Sequence, residues 1–264
     1  MEAGLRYGRF FAALLAAIFA ASAASADMLP LRREPVQLAL IAAGPLQAGL
    51  EVRLQPGWKF YWRSPGEGGV PPRFDWSASE NLAAADIAWP APRRIGIGNT
   101  DLHGYTGEVM LPIALKAVDG SKPVALDLTL EYGICKDICI LREDRLTRLL
   151  QPDDVIDVAA AVKLARWRAE VPVPAQAAGI RLLSHRAAPG QLTILLAGEQ
   201  PFAQPDLFVE GAPEAWFGRP EVTLTAEGKE ARFAIPVQPA EAAAALPLTL
   251  TLTDVGRAAE LTVR

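Results

Sequence analysis

Cys135 and Cys139 are the only two cysteines in the chain, and they stand four residues apart. A thiol pair this close admits three chemistries: reversible two-electron exchange, a structural crosslink, or ligation of a soft metal ion. If the chain ran straight through them at about 3.3 Å per residue, their Cα atoms would lie about 13 Å apart. A disulfide needs about 7 Å or less. A tight turn over Lys136-Asp137-Ile138 closes that gap and sets Cys135 across from Cys139 and Ile134 across from Ile140. The ring so formed is small, and loop entropy gives it only about 2 kcal/mol of stabilisation. That makes it a weak staple, so exchange and crosslink both stay open.

The segment that leads into the pair is Leu126-Asp-Leu-Thr-Leu-Glu-Tyr-Gly-Ile-Cys135. Its period of two puts Leu126, Leu128, Leu130, Tyr132 and Ile134 on one face and Cys135 on the other, pointing away from the core. For metal ligation the two thiolates would need help from His103 and Met110 or Met28. No Met-rich or His-rich tract supports this, so no metal site and no cofactor are expected.

Two other segments carry side chains that could surround the sulfurs. Gly57-Trp-Lys-Phe-Tyr-Trp-Arg-Ser-Pro-Gly66 concentrates Trp58, Phe60, Tyr61 and Trp62. It reads as a strand with a pair of aromatics on each face, one pair in the core and the other forming an apolar collar beside the thiols. Gly66 to Pro72 reads as a turn, too poor in Ser, Thr and Lys to hold phosphate. Arg93-Arg-Ile-Gly-Ile-Gly-Asn-Thr-Asp-Leu-His-Gly104 reads as an irregular, glycine-hinged loop suited to serve as a lid.

The rest of the chain must position these pieces. Its 264 residues are 51% hydrophobic and 21% charged, which excludes a disordered polymer. A net charge of −4 leaves no basic face for nucleic acid. Arg6 and Arg9, the apolar run Phe10 to Ala21 and Ala24-Ser25-Ala26 read as a cleaved secretory signal over residues 1–26, and no cysteine follows to accept a lipid. Export would take the cysteines to a compartment where disulfides persist.

Alternating segments at Val36–Ile41, Leu50–Leu54, Val109–Leu115 and Val124–Ile134 predict an all-β region over residues 27–151. Pro152-Asp153-Asp154 predicts the start of a linker helix within 152–174, with Val155, Val158, Val162 and Leu164 or Trp167 as its apolar face and Pro172-Val173-Pro174 as its stop. Seven further alternating segments from Ile180 to Val263 predict a second β-sandwich over 175–264. His185 stands alone there and reads as solvated.

The aromatic segment, Pro71-Pro-Arg-Phe-Asp-Trp76, Trp89-Pro-Ala-Pro92, Gly104-Tyr105, Leu111-Pro112 and Tyr132-Gly-Ile-Cys-Lys-Asp-Ile-Cys139 together resemble the periplasmic N-terminal domain of the DsbD and ScsB disulfide reductases, most closely the ScsB type. The resemblance implies an all-β chain of two immunoglobulin-like sandwiches joined by the helix. It implies a redox pair at Cys135 and Cys139, with Cys139 forming the mixed disulfide. It places the cap near Arg93 to Gly104, so that Trp58, Phe60, Tyr61, Trp62, Leu102, His103, Tyr105 and Lys136 are the candidate cap and partner-binding residues. Better-known members put an aromatic over the disulfide, where this cap has Ile95, Ile97, Leu102 and His103. The implied partners are a thioredoxin-like or membrane-embedded thiol reductase as donor and a periplasmic disulfide-containing protein as acceptor. Family members that carry their own membrane conduit and thioredoxin-like domain continue past the point where this chain ends, so its reductant is expected to be a separate protein. A two-sandwich binding module with a structural disulfide and a periplasmic copper-binding protein are the rival readings.

Overall fold

The computed structural model describes residues 34–97 and 100–264; the expected signal and Met28 lie outside the described residues. The first part of the chain holds β1 (Val36–Gly44), β2 (Gln47–Leu54), β3 (Lys59–Gly66), β4 (Arg73–Asp75), β5 (Leu82–Ile87), β6 (Arg93–Ile97), β7 (Thr100–Thr106), β8 (Glu108–Ala117), β9 (Val124–Cys135) and β10 (Cys139–Leu150). After helix α1 (Val158–Arg168) come β11 (Val173–Pro174), β12 (Ile180–Ala188), β13 (Gln191–Gly198), β14 (Asp206–Glu210), β15 (Trp216–Phe217), β16 (Glu221–Thr225), β17 (Glu230–Gln238), β18 (Leu248–Asp254) and β19 (Arg257–Val263).

These strands form two sandwiches. In the first, a sheet of order β1-β2-β8-β5 faces a sheet of order β10-β9-β3-β7-β6, with β4 also paired to β9. In the second, β11-β19-β18-β14 faces β12-β13-β17-β15, with β16 on β17. Each segment read from alternation is a strand. Alternation missed β5, whose Ala83, Ala84 and Ala85 carry no contrast between faces.

Strand β9 shows why the pattern is informative. Leu126, Leu128, Leu130, Tyr132 and Ile134 are all buried against β1, β2 and β8 residues such as Leu50, Val52 and Leu111. Removing one such leucine side chain costs about 2–5 kcal/mol, so the register of β9 is strongly set. The second sandwich has its own core around Ile194, Leu196, Phe233, Ile235, Leu250 and Leu252.

The helix differs from expectation. Asp157 caps it, its carboxylate accepting from the Ala160 N–H at 3.0 Å, while Asp154 instead accepts from the Gln151 N–H in a separate turn. The valine face is in solvent: Val155, Val158 and Val162 are exposed, and the buried stripe is Ala160, Leu164 and half-buried Trp167. Gly49 on β2 selects that stripe, because a Cβ there would lie 2.6 Å from Leu164 Cδ2. The helix joins the two sandwiches in sequence and packs on the first, against Ala43 and Met110.

Candidate functional site

The β9–β10 hairpin builds the site. Cys135 pairs with Cys139 and Ile134 with Ile140, and the Lys136 N–H donates to the Ile138 carbonyl at 3.1 Å across the turn. The two cysteines form a disulfide with Cα atoms 4.2 Å apart. Cys135 lies on the face opposite the main core, as the period of two requires, yet it is 1% exposed because Tyr61, Leu102 and Ile95 cover it in a small apolar cluster. Cys139 is exposed. One end of the bond is therefore sealed and the other lies open.

Strand β3 supplies the lining. The expected pair of aromatics on each face is corrected: residues 58, 60 and 62 share one face, so Trp58, Phe60 and Trp62 all pack on the main core, and Phe60 and Trp62 are fully buried there. Tyr61 alone turns the other way. Its hydroxyl lies 2.8 Å from Cys135 Sγ and 3.2 Å from Cys139 Sγ. Gly133 makes this reach feasible, since a Cβ there would stand 2.8 Å from Tyr61 Cε2. Burial raises the Tyr61 pKa, which keeps the phenol protonated and able to donate to sulfur.

The cap is ordered differently from the expected irregular loop. Its described residues form β6 and β7, an antiparallel pair in which Ile95 sits across from Leu102 and Arg94 from His103. Gly98, Asn99 and the Ile97 side chain lie outside what is described. Ile95 and Leu102 are the pair that covers Cys135.

His103 belongs to the other face of the hairpin. It is 4% exposed, with Nδ1 3.0 Å from the Ser64 carbonyl and Nε2 3.0 Å from Arg94 Nη1. Nδ1–H donates to the carbonyl and Nε2 accepts from the guanidinium, which is the neutral tautomer. Burial, and then the Arg94 charge, push its pKa down to about 4. Tyr105 is buried and donates to the Pro90 carbonyl at 2.7 Å. Lys136 is exposed at the hairpin tip, and its carbonyl accepts from Lys59 Nζ at 3.3 Å. Beside it, Ile138 and Leu141 are 69% and 70% exposed, giving Cys139 an apolar rim.

Of the candidate residues, the structure gathers Tyr61 and Leu102 at the sulfurs, with Lys136 beside Cys139 in the turn. It sends Trp58, Phe60, Trp62 and Tyr105 to the core and His103 to the back of the cap. The copper set does not converge: Met110 is buried on the opposite sheet under α1, and both His103 nitrogens are engaged. Among the described residues no group of three or more His, Cys, Asp or Glu could hold a metal ion.

Sequence reasoning missed Gly133, although a glycine two residues before Cys135 on the same strand face is a visible sign that something packs there. It also missed Arg94, Asp101, Asp206, Phe208 and Arg219, whose contacts with one another join distant parts of the chain.

Residues 25–151 match the family model described as the N-terminal domain of the thiol:disulfide interchange protein DsbD. Residues 170–264 match a family described as a domain of unknown function, DUF8393. Comparison with curated protein sequences returns no match. Among solved structures, the N-terminal periplasmic domain of ScsB from Proteus mirabilis is similar at 29% identity and a TM-score of 0.70, over 86% of this chain and 90% of that one. The reduced N-terminal domain of Neisseria meningitidis DsbD aligns at 15% identity and a TM-score of 0.29, over 48% of this chain and 98% of that one. Among the described residues no helix is long and apolar enough to cross a membrane. The sandwich that carries Cys135 and Cys139 belongs to the DsbD N-terminal family of thiol:disulfide interchange domains.

Proposed function

We propose that this protein is a periplasmic thiol–disulfide carrier that takes two electrons from a thioredoxin-like or membrane-embedded thiol reductase and passes them to an oxidised periplasmic protein. The asymmetry of the disulfide carries the reading: Cys139 is exposed, and Cys135 is sealed beneath Tyr61, Leu102 and Ile95. An incoming thiolate attacks Cys139 Sγ, the Cys135–Cys139 bond breaks, and Cys135 leaves as a thiolate that the Tyr61 hydroxyl stabilises. The donor's second thiolate then attacks the donor sulfur of the mixed disulfide. Cys139 is released, the donor is left oxidised and this protein holds a dithiol.

In the forward half-reaction the Cys139 thiolate attacks the acceptor's disulfide and expels one acceptor thiolate. Cys135 then attacks Cys139 Sγ, which re-forms the internal disulfide and expels the second. The similarity to a periplasmic ScsB domain and the signal-like residues 1–26 support the compartment. The exposed Ile138 and Leu141 supply an apolar surface on which a partner's active site can rest.

Trapping tests this directly. A Cys135→Ser chain cannot resolve, so Cys139 should accumulate mixed disulfides with donor and acceptor proteins in periplasmic extract. Redox titration of the unaltered pair should give a potential above about −300 mV; one far below that marks a structural bond.

A further inference from the structure

The exchange chemistry uses no residue beyond 150, yet the second sandwich grips the cap. Cross-strand partners share a face, so Ile95 and Leu102 form one side of the β6–β7 hairpin, while Arg94, His103 and Asp101 form the other. The first side rests on Cys135. The second side is held by residues from 206 to 219.

Each cap strand has its own ion pair there. On β6, Arg94 Nε and Nη2 donate to the two Asp206 carboxylate oxygens at 3.0 Å each, and Nη2 also donates to the Leu207 carbonyl at 3.1 Å. On β7, Asp101 accepts from Arg219 Nε at 2.6 Å and Nη2 at 2.8 Å. Between them Phe208 of β14 enters the core of the first sandwich, 1% exposed. It meets His103 and Trp62 edge to face at 4.8 and 5.9 Å, with the Arg94 guanidinium 4.8 Å from its ring centre. Two residues past Tyr61, Arg63 donates to Glu210 at 2.7 and 3.0 Å and pairs with Glu260.

Strand β7 is tied to β3, but β6 is the edge strand of this sheet and, among the described residues, pairs with β7 alone, so the seat of the cap depends on what packs against its outer face. We propose that the second sandwich is the buttress of the cap: by gripping the Arg94, Asp101 and His103 face it keeps Ile95 and Leu102 seated on Cys135, so an external thiol reaches Cys139 and Cys135 is reserved for resolution. The assignment of resolution to Cys135 rests on the exchange reading above, whereas the shielding itself does not.

Alkylation separates the two. In the full chain, Asp206→Asn with Arg219→Ala removes both ion pairs and leaves both cysteines and Tyr61 untouched. In a Cys139→Ser background, iodoacetamide should modify Cys135 about five- to tenfold faster when these pairs are lost, the population shift expected from two partly exposed ion pairs. In a Cys135→Ser background the rate at Cys139 should not change. With Asp206 kept, Arg219→Ala alone should also speed Cys135 modification, and the swapped pair Asp101→Arg with Arg219→Asp should return it to the slow rate, which guards against a variant that merely folds poorly. An unchanged Cys135 rate, or rates at the two cysteines that rise in parallel, overturns the buttress. Neither result bears on partner exchange, because no partner takes part, and failure of the trapping experiment leaves this measurement intact.

Discussion

The Tyr61 hydroxyl lies 2.8 Å from the Sγ of buried Cys135 and 3.2 Å from Cys139 Sγ. A buried leaving sulfur is costly to ionise, and a hydrogen bond from a neutral donor lowers that cost. Tyr61→Phe keeps the ring and removes the donor. The leaving Cys135 thiolate then loses a hydrogen bond to a charged group, worth about 1.5–3 kcal/mol. Reduction by dithiothreitol at neutral pH should slow by about tenfold or more with no loss of folding. Stopped-flow reduction and chemical denaturation measure the two effects.

Gly133 lets Tyr61 lie across β9. Gly133→Ala puts a methyl 2.8 Å from the ring, whose backbone is held by the pairing of Tyr61 with Gly104. The ring must shift, so the variant should lose about 1–3 kcal/mol of stability and share the slow reduction of Tyr61→Phe. Chemical denaturation of the oxidised protein reports the first effect. Normal reduction kinetics in this variant would show that the hydroxyl contact does not matter.

His103 makes the cap base acid-sensitive. Burial, then Arg94, lowers its pKa from the ordinary 6.5 to about 4, so the unfolded chain binds the proton first. The stabilisation is complete above pH 6.5 and is lost as pH falls from 6.5 to about 4, amounting to about 3 kcal/mol at 1.36 kcal/mol per unit. Asp101, held low chiefly by its hydrogen bonds from Arg219, and Asp254, lowered by backbone and Arg257 hydrogen bonds that outweigh its burial, lose theirs below the usual 3.8. Glu108, Asp75, Asp119 and Asp127 are lowered by their hydrogen bonds as well, so the slope between pH 6.5 and about 4.5, above the ordinary carboxylate range, is the part that belongs largely to His103. Denaturant midpoints across that range should show it, and His103→Gln should flatten it.

The disulfide should contribute little to folding. Closing so small a ring is worth about 2 kcal/mol, so a Cys135→Ser, Cys139→Ser chain should stay folded with a melting temperature lower by roughly 4–8 °C. Partner thiol status in cells should change as well. A chain that fails to fold, or one whose partners are unaffected, would support the staple instead.

The reading from residues reached as far as local geometry extends. The β9 alternation, the Lys136-Asp137-Ile138 turn and the Cys135–Cys139 register all follow from side-chain parity and the reach of a disulfide, which involve neighbours in sequence. Of the expected helix face, Leu164 and Trp167 do pack inward, but Val155, Val158 and Val162 do not, because the side that docks is chosen by the slot at Gly49, more than a hundred residues away. The cap looked irregular because Gly96, Gly98 and Gly104 suggest a loop, and only pairing between β6 and β7 makes strands of it.

By itself, then, the chain's order of residues determined the thiol pair, the turn that closes it and the all-β character, since each rests on a period of two or on a distance of a few residues. Tertiary structure alone decided which sulfur is sealed, that Tyr61 faces both sulfurs and that Phe208 and Asp206 brace the cap from the far sandwich. Those outcomes come from packing between segments up to about 150 residues apart, where sequence spacing carries no information about which faces meet.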